Sequence, residues 1–264
     1  MGSATVQGQL WGRRAQDFAA YLEQVCLPLQ GAALDAARVI PGTRLLDAGC
    51  GAGLLALLAS LRGARVTALD ASAELVAIAR ERLPEAEVGE GDLEALPFAD
   101  GSFDAVTAVN TVFYAADMAA AMRELARVVR PGGRVVVTAW GPPERCEFLT
   151  AVMPALGPLM PPPPPGAPPP HPGALSEPGA LAVILNQAGL RVVDEGEVSC
   201  PFVFPNTEAS WRANASAGVN QAAIAHSGEQ AVRAVYADAD RANVRPDGTI
   251  RYENVFLWVA GERS

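Results

Sequence analysis

The sequence predicts an α/β fold, a doubly wound Rossmann-like sheet of seven strands whose last strand is antiparallel. Strand and helix patterns alternate with short connections over residues 41–140, which is typical of a parallel sheet covered by helices on both faces. A glycine-rich turn at 47–53 joins the first strand to the first of those helices. The final strand pattern has no crossover helix before it, so we expect antiparallel pairing at one sheet edge. N-terminal helices and a helical lid insertion complete the predicted architecture.

The amino-acid composition excludes several classes of partner and of chemistry. The 264 residues, half of them hydrophobic, are enough for one structural domain with a large core. The formal charge of −9 excludes nucleic acid as the main partner. All 20 basic residues are arginine, so Schiff-base and P-loop lysine chemistry are excluded. The cysteines are too widely spaced for a zinc site.

No apolar run reaches about 18 residues, so we expect no membrane partner and a cytoplasmic location. The sequence leaves room for a homodimer.

Residues 1–40 are predicted to form an N-terminal helical cap. Large apolar side chains recur there at helical spacing, namely Trp11, Phe18, Leu22 and Val25. A second short helix is predicted at 32–39, and Pro41 with Gly42 ends it.

Residues 41–140 are predicted to be the cofactor-binding Rossmann-like core. Its strands are predicted at 43–47, 65–70, 87–89, 104–109 and 134–140. Its helices are predicted at 52–62, 72–83 and 117–130. Ser72 has the residue type and position of an N-cap for the second of these helices. Pro131 and the two glycines after it end the third.

Residues 141–189 are predicted to be a Pro-rich crossover followed by a helix at 178–187 that Ser176 caps. The proline-rich stretch at 158–178 favours polyproline II and cannot enter the sheet. Residues 190–264 are predicted to be antiparallel strands, with the helical lid insertion at about 206–245. Ser227 and Gln230 have the capping-box pattern within that insertion. The final strand is predicted at 249–260.

The glycine-rich turn is the first functional signal. Asp47 ends an apolar strand, and Gly49, Gly51 and Gly53 follow at alternate positions. Glycine has no Cβ, so the backbone can approach a ligand closely, and the following helix offers unpaired N–H groups. Asp70 ends the second strand, where a carboxylate can accept hydrogen bonds from both ribose hydroxyls. A nicotinamide enzyme shares these features, so the turn and Asp70 alone leave two cofactors open.

Five ordered segments closely resemble the motifs of class I S-adenosylmethionine-dependent methyltransferases. The segments are Asp47–Gly53, Asp70, Gly91–Phe98, Ser102–Asp104 and Arg130–Gly133. The nearest likeness is the small-molecule branch typified by ubiquinone and menaquinone biosynthesis enzymes. It covers about residues 40–140, whereas the first forty residues and 141–245 match only loosely.

The resemblance implies S-adenosylmethionine as cofactor, S-adenosylhomocysteine as product, and no metal. It implies a role for each matching residue. The cofactor-binding residues are Asp47, Gly49, Cys50 and Gly51 at the methionine part, Asp70 at the ribose, Ala71, Asp92 and Leu93 at the adenine, and Asn110 beside the ammonium and sulfonium.

Residues outside the core supply the candidates for the acceptor side. His226 is the candidate general base, which is needed only if the nucleophile must lose a proton; a packing role at the helix entry is the alternative. His171 lies in the proline-rich stretch and is the less favoured histidine. Arg14 lines the acceptor pocket or clamps the cofactor carboxylate. The aromatic side chains expected to line an apolar acceptor pocket, with core packing as the alternative, are Trp11, Phe113, Tyr114 and Trp211.

The sequence therefore predicts an enzyme that transfers a methyl group to an oxygen or carbon nucleophile of a small organic molecule, quinone-like or a secondary metabolite. One alternative is an NAD-dependent oxidoreductase, which would leave Asp92 without a role. The other is a cofactor-binding homologue that does not transfer a methyl group.

Overall fold

A computed structural model describes residues 3–162 and 175–264 of the chain. The strands are β1 (Arg44–Ala48), β2 (Arg65–Asp70), β3 (Glu87–Glu90), β4 (Phe103–Ala108), β5 (Val129–Trp140), β6 (Leu190–Ser199), β7 (Phe202–Phe204), β8 (Ile250–Tyr252) and β9 (Val255–Arg263). The helices are α1 (Ser3–Gly12), α2 (Ala15–Asp17), α3 (Leu27–Ala36), α4 (Leu54–Leu61), α5 (Ala73–Arg82), α6 (Met118–Val128), α7 (Glu147–Leu156), α8 (Ala180–Gln187), α9 (Thr207–Ser216), α10 (Gly218–Ser227) and α11 (Glu229–Ala242). A π-helical turn (Phe18–Leu22) and a 3-10 turn (Glu23–Cys26) connect α2 to α3.

Seven strands form one mixed sheet in the order β3-β2-β1-β4-β5-β9-β6. The neighbours from β3 to β5 are parallel, and β9 is antiparallel to both β5 and β6. Both faces of the sheet are covered by apolar side chains. Leu45 and Leu46, which are neighbours in β1, are both fully buried, and each belongs to a different apolar cluster. The predicted fold class is confirmed.

The order of strands places the functional end of the sheet. The chain runs outward from β1 to β2 and β3, then returns to the other side of β1 to form β4 and β5. A crevice opens beyond the carboxyl ends of the strands at such a switch point. The turn from Asp47 to Gly53 leaves β1 at that place.

The helices α9, α10 and α11 fall within the predicted insertion at 206–245. They pack with α7 and with the two-stranded ribbon of β7 and β8 around a second apolar cluster. Trp140, at the end of β5, joins this cluster to the sheet through its contact with Phe256, where the ring centroids are 4.4 Å apart.

Two capping predictions are wrong. Ser227 is the last residue of α10, and its hydroxyl donates to the Leu159 carbonyl at 2.9 Å. Gly228, with φ of +88°, precedes α11 instead and forms no side-chain cap. Ser176 does not cap α8, because its hydroxyl donates to the Trp140 carbonyl at 2.8 Å. The residue before α8 is Gly179.

Three boundaries also differ from the prediction. The helix expected at 32–39 begins at Leu27, because Pro28 occupies its first turn, where proline is well tolerated. The fifth strand begins at Val129 rather than 134, with an irregular register opposite β4. The strand expected at 249–260 is two strands, β8 and β9, and the buried Asn254 lies between them.

Candidate functional site

The glycine turn after β1 is shaped by close backbone packing. Gly49, Gly51 and Gly53 all have positive φ, at +79°, +57° and +87°. A Cβ on Gly49 would lie 2.2 Å from Oγ1 of Thr111, so a larger residue does not fit. The N–H groups of Gly49 and Cys50 both donate to the Leu69 carbonyl. The turn is therefore fixed against the end of β2.

Asp70 joins this turn to the start of α5. Its carboxylate accepts hydrogen bonds from the Gly51 N–H at 2.8 Å and from the Ser72 N–H at 2.9 Å. Ser72 caps α5 as predicted, since its hydroxyl accepts from the Leu75 N–H. Burial raises the pKa of Asp70. The carboxylate is held at the turn, and a carboxylate has acceptor capacity beyond two hydrogen bonds.

Asp47 is buried beneath the turn with half of its carboxylate unpaired. Its Oδ1 accepts from the Thr107 hydroxyl at 3.2 Å. Its Oδ2 is buried and has no hydrogen-bond partner within the described residues. Burial first, and then the negative charges of Glu23 and Asp70, raise the pKa of Asp47 to about 7. An orphaned buried acceptor of this kind fits a ligand that brings a hydrogen-bond donor and positive charge.

Glu23 is a site residue that the sequence reasoning missed. It is buried, and its Oε1 accepts from the Leu54 N–H at the start of α4 at 3.0 Å. Its Oε2 pairs with Arg82, which also donates to the Ala52 carbonyl at 2.9 Å. This pair ties the N-terminal segment, the glycine turn and α5 together. No local sequence pattern signals it, because the partners are far apart in the chain.

A cleft of about 550 Å³ lies between α1 and the ends of β2 and β3, within the range of ligand pockets. Ala71 and Asp92, both predicted at the adenine, line it. Asp92 Oδ1 accepts from the Glu94 N–H at 2.9 Å, which forms a local turn. Leu93 packs partly buried against the core. At Gly8, a Cβ would lie 2.1 Å from the Ala71 carbonyl oxygen, so glycine lets α1 close over this cleft.

Asn110 leaves β4 in a conformation that few residues adopt. Its φ is +53°, in the left-handed region where asparagine is enriched. The Thr138 hydroxyl accepts from the Asn110 N–H at 2.9 Å and lies 3.1 Å from its Oδ1. This reciprocal contact fixes the asparagine side chain at the carboxyl ends of β4 and β5.

An aromatic cluster lies beside the turn. Trp11 meets Phe18 edge-on with centroids 5.7 Å apart and meets Tyr114 in the same way at 5.4 Å. Phe113 and Tyr114 are in contact at 4.6 Å. Phe18 also lies against the turn, because its ring would be 3.0 Å from a Cβ on Gly51. The structure thus brings together Trp11, Phe113 and Tyr114, three of the four aromatic residues predicted for the acceptor.

Three other predicted residues have their described contacts elsewhere. Trp211 is buried against Tyr236, with centroids 6.2 Å apart, in the cluster of the insertion helices. Arg14 pairs with Glu229 at 2.9 Å and lies over the Trp211 ring at 5.9 Å. His226 is exposed in the last turn of α10. His171 falls outside the described residues.

Residues 3–162 and 175–264 hold no group of three or more His, Cys, Asp or Glu side chains arranged to bind a metal ion. None of the helices in those ranges combines the length and apolar character that a membrane span requires.

Comparisons with known proteins indicate a methyltransferase fold. A family model described as "Methyltransferase domain" matches residues 46–137. An uncharacterized protein of Mycobacterium tuberculosis (strain ATCC 25618 / H37Rv) is 36% identical over 150 residues, which cover 55% of this chain and 53% of that protein. Demethylmenaquinone methyltransferase of Beutenbergia cavernae is 39% identical over 117 residues, 44% of this chain and 49% of that protein. The chain therefore spans about half the length of the curated relatives it matches.

Solved structures share the fold over most of the chain. A putative methyltransferase from Bacillus halodurans superposes with a TM-score of 0.58 and 16% identity, covering 89% of this chain and 98% of that one. The cyclase SpnF superposes with a TM-score of 0.55 and 20% identity, covering 89% and 80%. At such identities the likeness establishes the fold and leaves the chemistry open.

Proposed function

We propose that this chain, whose residues 46–137 match the family model described as "Methyltransferase domain", is a class I S-adenosylmethionine-dependent enzyme that transfers a methyl group to a small organic molecule. The acceptor atom is an oxygen or carbon nucleophile of a quinone-like compound or a secondary metabolite. One observation carries the proposal. The glycine turn is surrounded by buried carboxylates, and one of them has an orphaned oxygen.

The charge of the turn separates the two cofactors that the sequence left open. Burial, and then the negative charges of Asp70, Asp47 and Glu23, raise the pKa of the Cys50 thiol. Arg82 balances Glu23, and Asp47 and Asp70 have no ion pair among the described residues. A nicotinamide enzyme shares an acidic residue at the position of Asp70, so the discrimination rests on Asp47, whose charge would repel a pyrophosphate placed beside the turn. An ammonium and a sulfonium would be attracted, which favours S-adenosylmethionine over a dinucleotide.

Each cofactor-binding residue has a proposed task. Asp47 accepts from the ammonium with its free Oδ2, and the backbone of Gly49, Cys50 and Gly51 lies along the methionine chain. Asp70 accepts from the ribose hydroxyls. Ala71, Asp92 and Leu93 contact the adenine. Asn110 lies beside the ammonium and the sulfonium. Arg14 is engaged by Glu229, so a clamp on the cofactor carboxylate would require that pair to open.

The acceptor is proposed to occupy the aromatic cluster of Trp11, Phe113 and Tyr114. Bound S-adenosylmethionine supplies an electrophilic methyl group on a good leaving group. The residues of the pocket then contribute mainly by holding the acceptor in line, and well-oriented reactions gain roughly 7–11 kcal/mol this way. Burial raises the pKa of Tyr114 above its usual range, so its hydroxyl acts as a hydrogen-bond donor rather than a base.

The activity of a similar protein supports a small acceptor, since one relative is a demethylmenaquinone methyltransferase. A cyclase shares the fold, which keeps a cofactor-binding protein without methyl transfer as the second candidate. His226 stays a proposed base, and His226→Ala with unchanged turnover at saturating acceptor would remove that role.

Calorimetric titration tests the cofactor. We expect saturable binding of S-adenosylmethionine and S-adenosylhomocysteine, and no binding of NADH at the same concentrations. Binding of NADH with neither adenosyl ligand would overturn the proposal. Transfer of labelled methyl from the cofactor to quinols and phenols then separates the two candidates. Transfer supports the enzyme, whereas cofactor binding without transfer to any acceptor supports the second candidate.

A further inference from the structure

A second cleft, of about 430 Å³, lies at the opposite end of the sheet from the glycine turn. The connection from α3 to β1 forms one wall, and the starts of β4 and β5 form another. Three arginines face it together with two acidic residues, and these are Arg38, Arg130, Arg134, Asp104 and Glu262. This grouping stands out because the whole chain carries a formal charge of −9.

The two acidic residues are already engaged. Asp104 accepts from the backbone N–H of Arg44 and from the Arg44 guanidinium, and also from Nε of Arg130 at 2.7 Å. These contacts hold the pKa of Asp104 well below its usual range. Glu262 pairs with Arg191 at 2.7 Å. Glu262 and Asp194 still act on Arg134 through their negative charges, but neither forms an ion pair with it within the described residues.

Arg134 is a mostly buried cation that forms no ion pair within the described residues. Only 6% of the residue is exposed. Its described hydrogen bond runs from Nη1 to the Ala36 carbonyl at 2.8 Å, although a guanidinium has five N–H donors. Burial and repulsion from Arg38 lower the pKa of Arg134, and the negative charges of Asp194 and Glu262 only partly oppose this. No nitrogen of Arg134 is among the buried, unpaired atoms of the described residues, so its remaining N–H groups are open to the cleft, where an anion could accept from them.

Arg38 stands in a conformation that suits glycine. Its φ is +55°, immediately after the C-terminal end of α3. The bonds that close the helix run from the Arg38 N–H to the Asp35 carbonyl and from the Val39 N–H to the Leu34 carbonyl, a pattern in which glycine predominates at this position. The side chain is exposed and makes no ion pair within the described ranges. An arginine that is strained and unpaired points to a use for its guanidinium.

We propose that this cleft binds an oxyanion, the phosphate or carboxylate group of a small metabolite, between Arg38 and Arg134. The anion would accept hydrogen bonds from Arg134 and screen the repulsion between the two guanidinium groups. Planar guanidinium groups match both carboxylate and phosphate oxygens. The site lies at the amino ends of the strands, away from the glycine turn, and does not depend on the proposed methyl transfer.

Thermal unfolding and calorimetry of the whole chain test the site with three probes at equal ionic strength: sodium phosphate, sodium citrate and sodium chloride. We expect phosphate or citrate to bind saturably and to raise the unfolding temperature, as a ligand of the folded state must. Chloride should do neither. A response to phosphate alone assigns a phosphate ligand, and a response to citrate alone assigns a carboxylate.

The decisive variant is Arg38→Gly, because it removes the guanidinium and at the same time suits the backbone. Without anion it should unfold at the wild-type temperature or above, while its affinity for the anion falls at least tenfold. Arg62→Ala removes a nearby arginine, paired with Asp35, and should bind the anion like the wild type. Wild-type binding by Arg38→Gly, or no saturable binding by the wild type, would overturn the proposal.

Discussion

Asp47 combines burial, a missing hydrogen bond and two negative neighbours in one side chain. Each of these favours the protonated form. A cation bound at Oδ2 would favour the ionised form instead. Cofactor binding and the protonation of Asp47 are therefore linked, and the sign of that link can be measured.

We expect the affinity for S-adenosylmethionine to rise as the pH rises from about 5.5 to 7, by up to roughly tenfold per pH unit. At a pH below its pKa of about 7, the Asp47 carboxyl must release a proton before it can hold a cation. Calorimetry across this range measures the slope. In Asp47→Asn the slope should be shallower, and in Asp92→Asn it should match the wild type. An identical slope in Asp47→Asn would show that another group is responsible.

The replacement Asp70→Ala should weaken cofactor binding by about 1–3 kcal/mol, the usual loss for charge-assisted hydrogen bonds. It also releases the N–H groups of Gly51 and Ser72. Titration gives the affinity, and thermal unfolding of the same variant shows whether the fold is kept. A folded variant with unchanged affinity would remove Asp70 from the site.

Among the elements, the segment from α1 to the 3-10 turn depends most on a distant contact. Glu23 holds it to the glycine turn and to Arg82. We expect Glu23→Ala to lower the free energy of unfolding by about 3 kcal/mol, because it strands a partly buried arginine. The matched control is Glu208→Ala, which breaks an exposed pair with Arg233 and should cost less than about 1 kcal/mol. Denaturant unfolding compares them, and equal losses would contradict the prediction.

The elements also show what local sequence can and cannot predict. The core strands and helices were predictable because their apolar periodicity is set by burial within each element, as in β2, where the predicted bounds are those observed. Capping depends on which neighbour a hydroxyl meets, so Ser72 was predicted correctly while Ser227 and Ser176 were not.

The residues of the site also fall into two groups, those that local sequence predicts and those that it does not. The glycine turn and Asp70 lie within one strand–turn–helix unit and its neighbour, so their proximity follows from the fold class. Glu23 and Arg82 are 59 positions apart, and nothing in either local sequence requires them to meet. The pairing of Trp11 with Tyr114 depends on how α1 packs against the sheet, which its spacing alone does not specify.

For the whole molecule, the buried carboxylates predict how stability changes with pH. The pKa values of Glu23, Asp47 and Asp70 are raised, so the folded state binds more protons than the unfolded state. Stability should therefore fall as the pH rises from about 4 to 7, with at most about 4 kcal/mol from Asp47. The pKa of Asp104 is lowered, so this residue changes the stability only below about pH 4, where its contribution is lost as the pH falls.

Denaturant unfolding at about pH 5 and pH 7 measures this difference, and Asp47→Asn should reduce it. Equal reduction by Asp92→Asn, which replaces an acidic residue of the cleft between α1 and the ends of β2 and β3, would mean that Asp47 is not the cause. A wild-type protein that becomes more stable over the same interval would contradict the assignment for all three carboxylates.

The pairing of β6 with β9 has a consequence for how such a protein can diversify. Ser199 and Val255 are opposite one another at the end of this antiparallel pair, so the chain leaves the sheet and returns to it at adjacent points. Everything between them, including α9, α10 and α11, is formally the connection of a hairpin. Hairpin connections tolerate exchange and insertion well. This segment meets the aromatic cluster at Gly218, where a Cβ would lie 2.5 Å from Nε1 of Trp11. It can thus be replaced in evolution while the sheet and the glycine turn stay unchanged.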